Sequence, residues 1–298
     1  MKRISYILLL AVLAASAINA CAQSDANLVK AYNSIRTGKI DSAKIYIDNA
    51  IKDSATRKDP QFWYVRGFIY KELYKKYETA DKQTLFRDTA VADLFTSTRI
   101  DTSATNKQNN YNVLTFLAGS YYNDAGALVD SLHYDLANEY YRKYVKITDI
   151  TAPSSLPPFE ISYNLKLGTV YSFLFFHSVN DKVKTAYLDS ARDAYNTVLS
   201  LNSNDVSANY NLAILYYNQA VYIINETNFD ADISRLNAAQ DTSVRLALRS
   251  LPYMQRTYQL DPGKKDAVKG LEGIYYLLHD TQKFAEYQQK LKALEGGK

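Results

Sequence analysis

Residues 207–223 read SANYNLAILYYNQAVYI, and their composition is that of a helix with almost no polar face. A helix on a protein surface ordinarily carries one apolar stripe, which faces the core. Here Leu212, Ile214, Leu215, Tyr216 and Tyr217 point in directions that cover most of the circumference. Such a helix must be covered by neighbouring helices on at least two sides, so the stretch predicts a stack of helices.

A short pattern within this stretch recurs along the chain: a very small residue is followed three positions later by tyrosine. The pairs are Gly67 with Tyr70, Gly119 with Tyr122, Gly168 with Tyr171, Ala213 with Tyr216, and Gly273 with Tyr276. Residues three apart lie on nearly the same face of a helix. A second amphipathic helix plausibly follows each segment. We therefore expect helix pairs in which the small residue lets the second helix approach the first; the alternative is an irregular all-α bundle with accidental spacing.

The pattern resembles the tetratricopeptide repeat, which combines a large residue, Leu-Gly, Tyr, and then Ala and an aromatic residue within 34 residues. The resemblance implies an all-α fold, a right-handed α-solenoid of stacked antiparallel helix pairs with insertions between repeats. It places one domain over residues 23–298, with about five to six helix pairs. Residues 160–295 are the most similar part, and they resemble the carboxyl-terminal portion of exported repeat proteins common in Bacteroidetes, a group that implies no particular function.

The spacing of the repeats is longer than that of the family. Successive small residues are 52, 49, 45 and 60 positions apart, against 34 in the family. The excess is expected in longer helices or in loops, and the candidate insertions are Thr79–Arg87, Asn123–Ser131, Thr151–Pro158 and Asn225–Asp241. Asp230 and Asp232 indicate calcium only faintly, because the regular ligands and glycine of a calcium loop are missing. Pro252 predicts a kink near Leu248 or the start of a new helix.

Residues 1–22 are predicted to be a signal peptide. Lys2 and Arg3 precede a short apolar run, and small residues follow it; the run is too short to span a membrane comfortably. The alternative is a buried amino-terminal helix. Two processing routes stay open: lipidation at Cys21 after a lipobox-like Ile-Asn-Ala, or ordinary signal-peptidase cleavage. The protein is therefore expected to be exported and periplasmic, with an anchor in the outer membrane if Cys21 is lipidated.

Several classes of function are disfavoured by composition. Without Lys2 and Arg3 the chain has 33 basic and 31 acidic side chains, so no long-range attraction to nucleic acid is expected. Cys21 is the only cysteine, and His133, His177 and His279 have no second ligand at metal-binding spacing. No nucleophile, phosphate-loop or metalloprotease motif is present. We expect no enzymatic activity, cofactor or metal.

The resemblance also implies a partner-binding groove lined by the first helix of each pair. Carried over repeat by repeat, its residues are Tyr64, Phe68, Lys71, Phe116, Asn123, Phe173, Tyr210, Tyr217 and Asn218, flanked by Glu72, Asp124, Leu165 and Thr169. Some family members clamp a peptide carboxylate with Lys and Asn here, but these groups come from different repeats in this chain. Aromatic rings with amides suit an extended peptide or a sugar ring. The alternative is that these side chains are simply core.

Two functions follow from these expectations. The first is a non-enzymatic protein–protein interaction scaffold of the cell envelope, which binds a partner protein or an extended peptide in the groove. The alternative is a glycan- or peptide-binding lipoprotein module that serves nutrient uptake. Proteins of the second kind are usually far longer and carry a large binding region outside the repeats, so the scaffold is favoured. Contact with a membrane is expected only through a lipid on Cys21.

Overall fold

The computed structural model describes residues 26–78, 84–131, 133–227 and 232–296. The predicted signal peptide and Cys21 lie outside these ranges, so both stay predictions. Within the described residues, no helix is both long enough and apolar enough to span a membrane. The chain divides into two compact units, the first formed by Met1–Ala125 with Asp135–Pro153 and the second by Gly126–Tyr134 with Ser154–Lys298.

Among the described residues, the first unit contains four whole helices and most of two more. They are α1 (Ala26–Arg36), α2 (Ile40–Ala50), α3 (Pro60–Tyr77), α4 (Phe86–Ile100), α5 (Lys107–Asp130) and α6 (Tyr134–Thr151), with a 3-10 turn at Thr56–Lys58 before α3. Local chemistry explains several ends. Asp59 caps α3 by accepting a hydrogen bond from the Gln61 amide at 2.9 Å, and Pro60 occupies the first turn, where its missing N–H has no intrahelical partner to lose.

In the described ranges of the second unit there are six further helices. They are α7 (Leu156–His177), α8 (Asp181–Leu201), α9 (Val206–Glu226), α10 (Ile233–Leu260), α11 (Lys265–Leu277) and α12 (Thr281–Gly296), with a 3-10 turn at Pro153–Ser155 just before α7. Asp205 caps α9 by accepting from the Ala208 amide at 2.8 Å. The helices of each unit follow one another as pairs, α1 with α2 through α11 with α12.

The helices within a pair are antiparallel. In the first unit the Ser97 hydroxyl near the end of α4 donates to the Pro60 carbonyl at the start of α3, at 2.8 Å. In the second unit the Ser250 hydroxyl of α10 donates to the Ala213 carbonyl of α9 at 2.7 Å. The predicted fold class, all-α with stacked, tetratricopeptide-like antiparallel helix pairs, is confirmed within each unit.

The stretch at 207–223 lies in α9, and from Ala208 to Val221 each of its residues is buried or half-buried. Leu212 and Leu215 pack in one cluster with Tyr195 of α8. Ala213 packs in a second cluster with residues of α10 and α11, including Met254. The prediction that neighbouring helices cover this helix on two sides is confirmed.

The small residues play three different roles. A Cβ atom added at Gly67 would lie 2.7 Å from Leu94 Cγ of α4, and one added at Gly168 would lie 2.5 Å from Tyr195 Cε1 of α8. At both positions the second helix of the pair approaches the first closely, as predicted. At Gly273 the neighbour is instead the Tyr217 hydroxyl of α9, the first helix of the preceding pair. A Cβ atom added at Gly119 would have no heavy atom of the described residues within 4 Å, apart from the backbone of its own helix, so the predicted close contact there is wrong.

The extra length of the repeats lies mainly in the helices. Asn123–Ser131, predicted as an insertion, is helical to Asp130 because α5 runs for 24 residues. The predicted insertion at Asn225–Asp241 is largely helical as well, since α10 begins at Ile233 and runs for 28 residues. Asp232 caps this helix, accepting from the Arg235 amide at 2.9 Å, whereas Asp230 lies outside the described residues.

Pro252 lies inside α10, which continues on both sides of it. The alternative that a new helix starts there is therefore wrong. Proline has no N–H to donate to the carbonyl four residues earlier, which is that of Leu248. The Leu248 side chain is 54% exposed. Water beside this turn can therefore satisfy the Leu248 carbonyl, which explains why the helix tolerates the proline.

A buried ion-pair network ties three helices of the first unit together. Arg66 of α3 donates from Nη1 to both carboxylate oxygens of Asp93 on α4, at 2.7 and 2.8 Å. Its Nη2 lies 3.3 Å from Oδ1 of Asp48 on α2, and the Tyr70 hydroxyl donates to the same oxygen at 2.8 Å. Burial raises the pKa of Asp93 to about 7, with Arg66 acting in the opposite direction.

Arg87 is the centre of a second network in the same unit, and its side chain is 3% exposed. Its guanidinium lies 4.8, 4.1 and 4.9 Å from the ring centroids of Tyr74, Tyr121 and Tyr140. It pairs with Glu78 at 3.0 Å and with Asp124 at 2.7 Å. Asp124, which the family resemblance places at the groove, is thus committed to an internal ion pair that joins α4 to α5.

Candidate functional site: the faces of the first helices

In the first unit, α5 carries an open row of side chains. Asn112, Phe116 and Asn123 are exposed and Gly119 is half-buried, and their spacing of four, three and four residues places them on one helix face. Phe116 is 48% exposed although it is a large aromatic residue. We call these four residues the α5 row. Two of them, Phe116 and Asn123, are predicted groove residues.

Lys71 of α3 lies beside the α5 row. Its Nζ is 4.2 Å from the ring centroid of Phe68 and 5.8 Å from that of Phe116. It also forms an ion pair with Glu72. Burial lowers the pKa of Lys71, while Glu72 acts in the opposite direction. The ammonium group is therefore already engaged, which weakens the case for a carboxylate clamp at this position.

The other two predicted residues on α3 belong to the core of the first unit. Tyr64 is 2% exposed and Phe68 is 6% exposed. Burial raises the pKa of the Tyr64 hydroxyl, as expected for a phenol that has lost most of its water. For Tyr64 and Phe68 the core alternative describes the observed environment, and any ligand contact would need neighbouring side chains to move.

In the second unit, α7 exposes Thr169 and Phe173. Phe173 is 58% exposed, and its ring stacks on that of His177 with the centroids 4.0 Å apart. Leu165, one turn before Thr169, is half-buried. Phe173 is therefore a predicted groove residue with a free aromatic surface.

The predicted residues of α9 are all half-buried. Lys264 Nζ lies 4.9 Å from the ring centroid of Tyr210, and the Tyr217 hydroxyl occupies the space beside Gly273. Asn218 follows Tyr217 on the same helix. Tyr217 therefore has a packing role between α9 and α11, and its removal would disturb the fold as well as any ligand contact.

Tyr276 of α11 is a large exposed aromatic that sequence reasoning did not include among the site residues. It is 67% exposed, and its ring lies 5.6 Å from that of Phe284. The signal was present in the sequence, since Tyr276 is the tyrosine three positions after Gly273. In α9 the tyrosine at the corresponding position, Tyr216, is half-buried against Tyr253, so the repeat pattern alone does not distinguish buried from exposed tyrosines.

Gly119 gives the first prediction. Replacing Gly119 with alanine is expected to raise the free energy of unfolding by about 0.5–1 kcal/mol, because glycine inside a helix costs backbone entropy. Within the described part of the chain, the new methyl group would contact nothing within 4 Å except the backbone of its own helix. Chemical denaturation of both proteins measures the difference. A variant less stable than the wild type would mean that another group occupies the space beside residue 119.

The exposed predicted residues on these faces are aromatic rings and an amide. Among the described residues, no three His, Cys, Asp or Glu side chains are grouped so as to hold a metal ion. Exposed rings such as Phe116 and Phe173 offer apolar surface, and the amide of Asn123 offers a donor and an acceptor beside them. Such a set of groups suits a peptide backbone with apolar side chains.

Comparisons with known proteins leave the family of this chain open. No family model matches it, and no curated protein matches it. Among solved structures it is similar to PilW, a widely conserved type IV pilus biogenesis factor, with 16% identity, a TM-score of 0.35, and coverage of 92% of this chain and 94% of that one. It is also similar to pilF of Pseudomonas aeruginosa, with 14% identity, a TM-score of 0.35, and coverage of 92% and 93%. Likeness of this degree does not transfer a function.

Proposed function

We propose that the protein is a non-enzymatic protein–protein interaction scaffold of the cell envelope, which binds a partner protein or an extended peptide on the faces of its first helices. The observation that supports the proposal most directly is the α5 row, where Phe116 is 48% exposed. Aromatic side chains with adjacent amides are typical of protein interfaces.

Gly119 supports the same proposal from another direction. It lies between Phe116 and Asn123 in the α5 row, and among the residues that the structure describes no packing contact needs its small size. A glycine in the middle of a helix is destabilising. Close approach of a partner's backbone to α5 would give Gly119 a function. The space beside Gly119 can admit the partner's main chain, which a larger side chain at position 119 would exclude.

Capture of the partner tests the proposal. Phe116→Ala combined with Asn123→Ala is expected to reduce capture of envelope proteins by the tagged full chain at least about five-fold, as loss of an interface anchor does. Quantitative mass spectrometry of the captured proteins is the measurement. Ile150→Ala is the matched control, because Ile150 is 45% exposed on a second helix, α6. Equal capture by the double variant and the wild type would remove α5 from the interface.

The choice of Phe116 follows from the structure. Tyr217→Ala combined with Phe116→Ala is also expected to weaken capture. However, Tyr217 packs against Gly273, so a loss of binding in this variant could not be separated from a loss of stability. Phe116 and Asn123 are both exposed, and their removal is expected to leave the helical circular-dichroism signal unchanged.

The second candidate function is a glycan- or peptide-binding lipoprotein module for nutrient uptake. Phe173, at 58% exposure, and Tyr276, at 67%, are rings on which a sugar could stack. Oligosaccharide binding without any co-purifying protein would favour this candidate. The support from α7 is weaker, because the ring of Phe173 already stacks on His177.

The proposed location rests on the amino-terminal sequence alone. We propose export to the periplasm, with lipidation of Cys21 and an outer-membrane anchor as one route and ordinary cleavage as the other. Mass spectrometry of the mature amino terminus separates the two routes. A mature protein that retains Lys2 and Arg3 would contradict export by a cleaved signal.

A further inference from the structure

The outer face of α10 carries a row of arginines. Residues 242–260 contain Arg245, Arg249 and Arg256 and no aspartate or glutamate. At the rotation of an α-helix, positions four and eleven residues after Arg245 fall within about 40° of it. Arg245 and Arg249 are exposed and Arg256 is half-buried, so the three cations line one side of the helix.

The hydrogen bonds of these arginines go to neutral oxygens. Arg245 Nη2 donates to the Thr242 hydroxyl at 2.8 Å. Arg256 donates from Nη1 to Gln259 Oε1 at 3.2 Å and from Nη2 to Asn204 Oδ1. In the part of the chain that the structure describes, no carboxylate forms an ion pair with any of the three, although the exposed Asp241 lies one turn before Arg245.

Some other surface cations of the second unit have acidic partners. Lys166 pairs with Asp130 at 2.6 Å, and Lys283 pairs with Glu286 at 2.8 Å. The full sequence is close to charge balance, with 35 basic and 31 acidic side chains. The arginine row is therefore a local concentration of positive charge on a nearly neutral protein.

Apolar surface lies within the same row. Leu248 is 54% exposed, and Pro252 is exposed one turn further on. Arginine beside apolar surface is a combination enriched at protein interfaces.

We propose that the outer face of α10 binds an acidic segment of a partner protein. Guanidinium groups bind carboxylates through two parallel hydrogen bonds, and Leu248 offers an apolar contact between them. The row is about 16 Å long and one helix wide, which matches a single helix or about five residues of extended chain. A flat anionic membrane would use charges spread over several helices. This surface belongs to a second helix, so it is separate from the faces in the proposed function.

A matched peptide tests the proposal on the full chain. The probe is a fluorescein-labelled helical peptide whose glutamates have the spacing of Arg245, Arg249 and Arg256 and whose leucine lies between them. A scrambled peptide of the same composition is the reference. Fluorescence anisotropy at about 0.15 M salt, where long-range charge effects are screened, is expected to show binding of the matched peptide and much weaker binding of the scrambled one.

Charge removal identifies the surface. Arg245→Gln with Arg249→Gln is expected to weaken binding of the matched peptide roughly five-fold, in line with two partly solvated ion pairs. Arg142→Gln with Lys146→Gln on α6 is the control, because it removes two exposed charges at the same spacing. Arg256 is left unchanged because it contacts Asn204.

Three results would overturn the proposal. The first is equal binding of the matched and scrambled peptides, and the second is an equal effect of the control variant. The third is a chain that does not bind the matched peptide but binds phosphatidylglycerol vesicles or an oligothymidylate, and loses that binding in the Arg245→Gln, Arg249→Gln variant. This result would assign the row to a membrane or to nucleic acid. None of these outcomes bears on capture through Phe116, so the two proposals fail separately.

Discussion

Replacing Arg66 with methionine is expected to lower the free energy of unfolding by about 3–5 kcal/mol, the cost of leaving a buried charge without its partner. Asp93, the partner in question, is 3% exposed and accepts two hydrogen bonds from Arg66 Nη1. Without Arg66, its carboxylate would remain buried without this cation, and the charge of Asp48 would still act to raise its pKa. Urea unfolding followed by circular dichroism measures the loss.

Two controls separate this cause from lost packing. Asp93→Leu added to Arg66→Met is expected to recover much of the stability, because no unpaired charge is then buried at this position. Acidification is the second control. Burial raises the folded-state pKa of Asp93 to about 7, well above its unfolded value of about 3.9. The contribution of Asp93 to the free energy of unfolding is therefore most favourable below about pH 3.9 and declines as the pH rises through about 7.

The loss caused by Arg66→Met is therefore expected to be smaller at about pH 5 than at about pH 8, since protonation neutralises the unpaired carboxylate. A loss that does not change with pH, together with no recovery in the double variant, would show that Arg66 acts through its aliphatic contacts alone.

Replacing Gly168 with leucine is expected to lower the free energy of unfolding by about 1–3 kcal/mol through overpacking, with the upper end more appropriate here. A Cβ at this position would lie 2.5 Å from Tyr195 Cε1. Tyr195 is 1% exposed, so its ring has no free space to move into. The midpoint of thermal unfolding should fall correspondingly.

Thr169→Leu is the matched control for Gly168→Leu. Thr169 is the next residue along α7 and is exposed, so the same side chain placed there meets solvent and is expected to change stability by less than about 0.5 kcal/mol. An unshifted transition in Gly168→Leu would contradict the close approach of α7 and α8.

Much of the fold could be predicted from the sequence because its signals are local. The spacing of Gly67 and Gly168 before tyrosine marks positions where a second helix approaches, and Asp59-Pro60 marks a helix start. The apolar circumference at 208–221 predicts burial on two sides. Each of these signals lies within one or two turns of helix, where propensity and periodicity act directly.

The errors arose where the environment is supplied by residues far away in the chain. Gly119 and Gly168 have the same local pattern, yet only Gly168 has a tyrosine from a second helix against it. The network that holds Arg66 draws on Asp48 and Asp93, from two other helices, and no spacing in the sequence announces it. Pro252 lies within α10 because the Leu248 turn faces solvent, a property of the packed unit.

The candidate site was predicted less well than the fold for the same reason. Tyr64 and Phe116 each lie three positions before the small residue of their repeat, but Tyr64 is 2% exposed and Phe116 is 48% exposed. Their exposure differs because different helices pack around each of them. The arginines of α10 are visible in the sequence as a segment without acids, although their common face and neutral partners are properties of the structure.

The contact between Tyr217 and Gly273 has a consequence for how such a chain can diverge. The large side chain belongs to one repeat and the gap that receives it belongs to the following one. These two repeats are therefore not interchangeable modules: deleting, duplicating or exchanging one of them by recombination would set a tyrosine against a residue with no room for it. Their order along the chain is fixed by complementary shapes, and change in this part of the protein must proceed by paired substitutions.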